Sequence, residues 1–262
     1  MELEIYKVDA FCQDIFSGNP AAVCPLEQWL DESLMQNIAA ENNLAETAFY
    51  VPKGEQFEIR WFTPAVEVDL CGHATLAAAH VLFNHKNISQ KTISFLSHRS
   101  GELRVSKDKD QLTLNFPADE LNEIPVTEQM KSWFSIKPAE AFKGKTDYML
   151  VFKSEDEISN LKPDFSVIEN LTEARGVIAS AKGKEVDFVS RFFAPQSGIA
   201  EDPVTGSAHT TLTPYWSEKL GKKELSALQL SARKGYLKCT NLGTRVEISG
   251  KAKTFLHGKI FV

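Results

Sequence analysis

The stretch Ala200-Glu-Asp-Pro-Val-Thr-Gly-Ser-Ala-His209 leads from a loop into an apolar-rich segment, residues 210–220. Asp202 and Pro203 are typical of a helix start, because an aspartate side chain accepts a bond from a free backbone N–H and proline needs no partner there. Gly221 is typical of a helix end, since glycine readily adopts the left-handed conformation of a C-cap. We therefore predict a loop followed by a helix that stops at this glycine.

Gly206 and Ser207 lie in the first turn of the predicted helix. Small residues here would let a ligand approach the backbone, where free N–H groups and the positive end of the helix dipole attract an anion. The same stretch is equally typical of an ordinary capped helix. A functional interpretation therefore needs a second observation.

That observation is a repeat of the pattern in the first half, at Glu67-Val-Asp-Leu-Cys-Gly-His-Ala-Thr-Leu76. Each copy follows an aromatic segment that ends in proline, Arg60-Trp-Phe-Thr-Pro64 and Arg191-Phe-Phe-Ala-Pro195. The arginines are 131 residues apart and the loop glycines 134 apart, so the second loop has three additional residues. This internal duplication predicts two equivalent halves, two anion-binding helix starts and a small-molecule site in a cleft between the halves.

Composition limits the classes of protein that fit. The chain has 262 residues, of which 43% are hydrophobic and 24% charged, so it is long enough for two globular domains. A formal net charge of −6 argues against a nucleic-acid partner. No apolar run reaches the ~20 residues of a membrane helix, and the acidic residues 1–4 are unlike a signal peptide. We expect a cytoplasmic protein without a membrane partner.

The four cysteines are scattered without CxxC spacing, a pattern that favours reduced thiols over disulfides or a zinc site. They are Cys12, Cys24, Cys71 and Cys239. The sequence therefore predicts no metal site.

Apolar patterning predicts many short strands, which would close around one apolar helix in each half. The predicted strands are 3–11, 45–51, 57–62, 92–96, 101–105, 111–116, 147–152, 176–181, 185–193, 225–231, 236–241, 244–249 and 253–262. Further helices are predicted up to residue 42 and over 74–83, 128–134 and 166–171. Ser17-Gly-Asn-Pro20 predicts a turn, with the proline blocking a strand.

Three polar residues in apolar surroundings allow two interpretations each. Glu46 is either a solvated edge residue or a partly buried carboxylate with a raised pKa, which suits a general acid/base. His73 is either an exposed turn residue or part of a site. Cys71 is either a small buried hydrophobic residue or a nucleophile.

Four motifs in order, spread over nearly the whole chain, resemble the PhzF-like isomerase family of phenazine biosynthesis. They are Gly18-Asn19-Pro20, Asn43-Leu-Ala-Glu46-Thr47, Asp69-Leu-Cys-Gly-His-Ala-Thr75 and Glu201-Asp-Pro-Val-Thr-Gly-Ser207-Ala208. The resemblance implies an α+β fold like that of diaminopimelate epimerase. Such a fold has two pseudo-symmetric domains, each a strongly curved, mostly antiparallel sheet rolled around a central helix. We place the domains at residues 1–118 and 119–262, with the last strand free to return to the first domain.

The resemblance also implies the site residues. Glu46 matches the acid/base that moves a proton on the substrate. The implied catalytic residues are Glu46, His73, Asp202 and Ser207. The implied substrate-binding residues are Gly72, Gly206, Asn19 and Cys71. The family uses no cofactor, and its best-known member isomerises dihydro-3-hydroxyanthranilate as a homodimer.

Related epimerases carry a cysteine before each loop glycine, and the two thiols exchange a proton across a stereocentre. Here Cys71 fills one of these positions and Thr205 the other. A hydroxyl has too high a pKa to act as a free base at neutral pH, so the two-thiol mechanism does not fit. The leading hypothesis is a cofactor-independent isomerase of a small carboxylated metabolite. The alternatives are a racemase or epimerase that pairs Cys71 with Glu46, and a metabolite-binding protein without catalysis.

Overall fold

A computed structural model describes all 262 residues as 17 strands and six α-helices. The strands are β1 (Glu2–Ala10), β2 (Asn19–Pro25), β3 (Glu46–Lys53), β4 (Gln56–Phe62), β5 (Glu67–Val68), β6 (Thr92–Ser97), β7 (Gly101–Asp108), β8 (Gln111–Pro117), β9 (Asn122–Ile124), β10 (Glu140–Lys143), β11 (Asp147–Val151), β12 (Gly176–Lys182), β13 (Phe188–Phe193), β14 (Glu224–Gln229), β15 (Gly235–Asn241), β16 (Arg245–Gly250) and β17 (Ala252–Phe261). The helices are α1 (Glu32–Asn42), α2 (Gly72–Asn84), α3 (Glu128–Ser132), α4 (Glu155–Ser159), α5 (Phe165–Ile168) and α6 (Gly206–Leu220). Pro195–Ser197 forms one 3-10 turn. Not one of these helices has both the length and the apolar character needed to span a membrane.

Every strand expected from the apolar alternation is present, with its ends within three residues of the prediction. The prediction that Pro20 blocks a strand is wrong, because Pro20 lies in β2 opposite Asp9 of β1. Proline is tolerated near the start of a strand, where only one N–H is lost from the ladder. The turn itself ends at Gly18, whose φ is +74° and whose missing Cβ would lie 2.3 Å from the carbonyl oxygen of Ala10.

The chain forms two compact units. The first unit comprises Met1–Asn115 and Ser249–Val262, and the second comprises Phe116–Ile248. The last strand belongs to the first unit because β17 pairs antiparallel with β1, from Glu2 opposite Phe261 to Ala10 opposite Ala252.

Both units have the same order of strand pairings. In the first, β1–β2 is antiparallel, β2–β3 parallel, β3–β4 antiparallel, β4–β6 parallel and β6–β7 antiparallel. The second unit shows the same alternation of antiparallel and parallel pairs, in the order β10–β11, β11–β12, β12–β13, β13–β14 and β14–β15. Parallel pairs need crossover connections, and these contain α1 and α2 in the first unit and α4, α5 and α6 in the second. This shared order of strand pairings supports the internal duplication that the sequence predicts.

Each unit wraps its sheet around one long helix, so the predicted α+β fold is confirmed. Ten of the 13 residues of α2 are buried, and the helix packs against β1, β2, β3 and β17. A helix with apolar residues on every side must be surrounded by protein. In the second unit α6 packs against β14 and β15, and its Trp216 stacks on Phe188 of β13 and donates a hydrogen bond to Ser180 of β12.

The start of α6 differs from the prediction, whereas its end agrees. Gly221 adopts the left-handed C-cap with a φ of 66°. The helix begins at Gly206 with Thr205 as N-cap, so the expectation that Asp202 and Pro203 start it is wrong. The aspartate instead accepts a hydrogen bond from the Thr205 hydroxyl at 2.5 Å, and its N–H donates to the carbonyl of Phe192. These bonds keep the aspartate in the loop.

Pro214 lies inside α6. It has no N–H, so the carbonyl of Thr210 lacks its usual partner in the helix. The N–H of Asp119 donates to that carbonyl at 3.2 Å, and the Asp119 carboxylate accepts from the Thr211 hydroxyl at 2.9 Å and from the N–H of Lys145 at 3.1 Å. A loop aspartate thus supplies the bonds that let a proline sit in the central helix.

The two glycine loops, which lead to Gly72 of α2 and Gly206 of α6, are held by matching ion pairs. In the first unit Arg60 binds both carboxylate oxygens of Glu67, with each N–O distance 2.7 Å. In the second unit Arg191 binds both oxygens of Glu201 at 2.7 and 2.8 Å. Bidentate arginine–carboxylate pairs fix geometry as well as charge. The pairs therefore fasten each loop to the strand before it, although the second loop is three residues longer.

His209 is a fully buried histidine of α6. Its Nδ1 lies 2.8 Å from the carbonyl oxygen of Thr205, so this nitrogen donates. Burial lowers the pKa of His209 from 6.5 to about 4, and the bond to Thr205 opposes that change only in part. The folded protein therefore holds this ring neutral where an unfolded chain would protonate it.

We expect Asp119→Ala to lower the free energy of unfolding by ~1–3 kcal/mol, because the N–H of Lys145 and the Thr211 hydroxyl lose their acceptor. Urea denaturation at pH 7.5 measures the change. The neighbouring exposed Glu120 offers a control, and Glu120→Ala should stay within ~0.5 kcal/mol of the parent. Equal stability of the two variants would contradict this role of the Asp119 side chain in holding the loop against α6.

The stability of the protein in acid should depend on His209. Because the pKa of His209 is about 4 when folded and 6.5 when unfolded, its contribution is complete above pH 6.5 and is lost as the pH falls toward 4. The loss is ~1.4 kcal/mol per pH unit. Between pH 5 and 6.5 the free energy of unfolding, measured with urea, rises with pH. This rise should be less steep in His209→Gln than in the parent, by about this amount per pH unit. Thr213→Val, a change at a buried neighbour in α6, should keep the parent slope, and an unchanged slope in His209→Gln would disprove the assignment.

Candidate active site

The first unit gathers four of the predicted site residues at one end of its sheet. Asn19 and Glu46 open the parallel strands β2 and β3, while Cys71 and His73 flank the first residue of α2. His73 is the centre of this group. Its Nε2 lies 3.2 Å from Oε2 of Glu46, and its Nδ1 lies 3.3 Å from Nδ2 of Asn19 and 3.5 Å from Sγ of Cys71. We call these four residues the acid cluster.

The acid cluster is buried. His73 and Cys71 are each 6% exposed, Asn19 is inaccessible, and the side chain of Glu46 is 12% exposed. These values exclude the solvated edge for Glu46 and the exposed turn for His73. Cys71 is buried, as a small hydrophobic residue would be, but it also contacts the ring of His73.

Burial determines the state of His73. It lowers the pKa of this histidine from 6.5 to about 3, so the ring is neutral at pH 7. A neutral imidazole has one donor and one acceptor nitrogen. Nδ1 faces the amide nitrogen of Asn19, which can only donate, so Nδ1 is the acceptor. The proton is therefore on Nε2, the nitrogen that lies 3.2 Å from Oε2 of Glu46.

Glu46, Cys71 and His73 offer ligand atoms that lie within 4.8 Å of one another, and zinc accepts all three residue types. His73, however, faces the glutamate through Nε2 and the cysteine through Nδ1. One ion can bind only one nitrogen of a ring. The arrangement therefore fits an imidazole placed between the glutamate and the cysteine better than a metal centre.

Both central helices begin without a side-chain cap. Cys71 and Thr205 are the N-caps of α2 and α6, neither makes a capping hydrogen bond, and neither helix has an acidic residue in its first turn. The predicted binding residues Gly72 and Gly206 are the first residues of these helices. Each helix start therefore offers free N–H donors and a positive dipole end to an anion.

In the second unit Asp202 is 8% exposed and lies in a buried network before α6. Its side chain accepts from the Thr205 hydroxyl, and its carbonyl accepts from Nε2 of Gln229 at 2.8 Å. Oε1 of the same glutamine accepts the N–H of Thr205 at 2.8 Å. Thr205 thus acts as a donor that holds the aspartate. Sequence analysis missed Gln229, although a lone amide in the apolar run of β14 was a usable signal.

Ser207, the second residue of α6, accepts a hydrogen bond from Nη2 of Arg175 at 3.0 Å. Arg175 also binds both oxygens of Asp147, at 3.0 and 2.5 Å. Sequence analysis missed both charged residues. The available signal was positional, since Arg175 stands directly before β12 just as Ala45 stands before β3.

The predicted site residues therefore form two groups. The first unit brings together Asn19, Glu46, Cys71, Gly72 and His73. The second unit places Asp202, Gly206 and Ser207 around the start of α6.

Comparison with known proteins gives a consistent result. The family model for phenazine biosynthesis-like proteins, PhzC-PhzF, matches residues 8–258. A protein of Pseudomonas aeruginosa named as an uncharacterized isomerase is 49% identical over 260 residues, which cover 99% of both chains. A crystal structure of a PhzF-family phenazine biosynthesis protein from Enterococcus faecalis is 47% identical and covers all of both chains with a TM-score of 0.97.

A structure of a predicted epimerase from Pseudomonas aeruginosa shares the fold at 17% identity, with a TM-score of 0.73 over 99% of both chains. The resemblance inferred from the four motifs is thus confirmed over nearly the full length. By the family match and the close relatives, the chain belongs to the PhzF-like family of phenazine biosynthesis-like proteins.

Proposed function

We propose that the protein is a cofactor-independent isomerase that moves a proton on a small carboxylated metabolite, with Glu46 as general acid/base. The observation that carries the proposal is the buried pair of Glu46 and neutral His73, 3.2 Å apart beside the uncapped start of α2. The relative from Pseudomonas aeruginosa that is named an isomerase supports the reaction class.

The proposed step needs only one mobile proton. Glu46 accepts it from a C–H bond next to the substrate carboxylate, and the electrons of that bond form a new double bond to the neighbouring carbon. The electrons of the double bond already present there move to its far carbon, and Glu46 returns the proton to that carbon, so that one C–H bond breaks, one forms and no atom is lost. Nε2 of His73 lies 3.2 Å from Oε2 of Glu46, and we propose that its N–H forms a hydrogen bond to this oxygen during the reaction, which leaves the other oxygen to face the substrate.

The helix starts supply the charge stabilisation that the step requires. Negative charge grows on the substrate when the proton leaves, and preorganised N–H donors stabilise such charge without having to reorient. Gly72 and Gly206 are the first residues of the two uncapped helices. We propose that Asp202 and Ser207 act on the same substrate molecule as Glu46. A cytoplasmic location and a homodimer stay predictions.

A second candidate is a racemase or epimerase that uses Cys71. The observation in its favour is the 3.5 Å distance between Sγ of Cys71 and Nδ1 of His73, which would let the ring receive the thiol proton. Thr205 occupies the matching position in the second unit, where its hydroxyl donates to Asp202. A single thiol would therefore have to work with Glu46. A binding protein without catalysis is disfavoured because the chain carries all four candidate catalytic residues, Glu46, His73, Asp202 and Ser207.

We expect Glu46→Gln to lower turnover by ~10²–10⁴-fold while ligand binding survives, because glutamine keeps the shape of glutamate but cannot accept the proton. Cys71→Ala should cost little turnover. Deuterium incorporation into a mixture of carboxylated metabolites in heavy water identifies the substrate and then measures the rate in both variants.

Two controls accompany this measurement. Glu55→Gln changes an exposed glutamate and should exchange at the parent rate, while Cys24→Ala shows what loss of another buried thiol does to stability. Exchange at the parent rate in Glu46→Gln would end the assignment of Glu46. Loss of exchange in Cys71→Ala alone would establish the thiol mechanism instead.

A further inference from the structure

The guanidinium of Arg175 is held from one side by a buried carboxylate. Asp147 is 1% exposed and binds Nε and Nη2 of the arginine, whereas the arginine side chain is 42% exposed. The backbone is fixed as well, because the N–H of Arg175 donates to Thr146 and its carbonyl accepts from Gln196. The ring of Phe192 lies 5.2 Å from the guanidinium carbon. The arginine is therefore pre-oriented while part of it faces solvent.

This arrangement also sets the hydroxyl of Ser207. A guanidinium can only donate, so Oγ of Ser207 accepts from Nη2 of Arg175. The hydroxyl proton must then point away from the arginine and is available to another acceptor. Nη1 of Arg175 makes no hydrogen bond in the structure, and α6 begins here without a cap. The groups offered at this position are all donors, which suits a carboxylate, since its oxygens only accept.

The duplication shows that this position has diverged. Arg60 and Arg191 each pair with the fourth residue of the neighbouring strand, β3 or β12. Aligned in this way, Glu46 of the first unit matches Gly176 of the second, and Arg175 stands just before that glycine. The first unit thus carries an acid at the strand start, and the second carries a cation.

The matching glycine has no room for a side chain. A Cβ on Gly176 would lie 2.4 Å from Cζ of Phe192 and 2.9 Å from the carbonyl oxygen of Phe193. In the helices, Ser207 matches His73 by the alignment of the loop glycines. The second unit therefore replaces the acid and imidazole by an arginine and a hydroxyl, an exchange of proton-transfer groups for anion-binding groups.

We propose that Arg175 is a specificity-determining residue that binds a carboxylate of the substrate together with the Ser207 hydroxyl, and that Asp147 is its positioning residue. The proposal rests on the proposed function, because it assigns the carboxylate of the same substrate. Arg175 and Ser207 would thereby select metabolites with a planar carboxylate over the amides and esters of the same metabolites. In this arrangement Nη1 of Arg175 and the Ser207 hydroxyl donate to the carboxylate oxygens, and such a contact is lost when a ligand oxygen is replaced by a donor.

The test uses benzoate as the probe and benzamide as its uncharged counterpart, in NMR titrations of the full chain. Benzoate should shift the Arg175 Nε–H signal and the Ser207 amide signal and reach saturation, while benzamide should leave both in place. In Arg175→Gln, the affinity for benzoate obtained from the Ser207 signal should be at least ~10-fold lower, and Arg175→Lys should recover part of that affinity. Asp147→Asn should weaken benzoate binding and change the Arg175 Nε–H signal even without benzoate.

Arg245→Gln removes the same charge from an exposed position in the second unit and should bind benzoate as the parent does. Benzoate cannot undergo the proposed proton transfer, so this titration measures carboxylate binding alone, and a failure of proton transfer and a failure of carboxylate binding give different results. The inference is overturned if benzoate leaves the parent signals unchanged, or if Arg175→Gln binds it with parent affinity in a spectrum that shows a folded protein.

Discussion

The arginine–glutamate pair between a strand and its glycine loop is the interaction on which both helix starts depend. Arg60 with Glu67 in the first unit and Arg191 with Glu201 in the second make the same bidentate contact. A loop held in this way can leave its helix without a cap, because its position is fixed by the ion pair. The donors that a capping side chain would occupy then remain available for an anion.

The two units share the order of their strand pairings but carry different side chains at corresponding positions. The first unit places the largely buried Glu46 3.2 Å from a neutral His73, and we propose that this pair transfers the proton. The second unit places Arg175 against Ser207, held by the buried Asp147. Duplication supplies two helix starts that attract negative charge, and divergence assigns proton transfer to one and carboxylate binding to the other in the function we propose.

Sequence reasoning identified features that local chemistry determines. The glycine loops, the apolar helix α2, the left-handed Gly221 and the strand pattern all follow from residue type and period. It failed where a distant residue decides the outcome. Pro214 is tolerated in α6 because Asp119 binds the carbonyl that the proline leaves free. Asp202 looked like a helix cap, but Gln229 holds it in the loop through a contact 27 residues away in sequence. Arg175 also has a partner 28 residues away, in Asp147, and no motif marks it.

The central claim is that a neutral His73 carries its proton on Nε2, the nitrogen that lies 3.2 Å from Oε2 of Glu46. The most direct measurement is the nitrogen-15 and proton NMR spectrum of the histidine rings at pH 7, with His73→Gln used to assign the signals. The account predicts one proton on Nε2 of His73 and an unprotonated Nδ1 that accepts from Asn19, and Glu46→Gln should shift that Nε2–H signal. A proton on Nδ1, or protons on both nitrogens, would contradict the account.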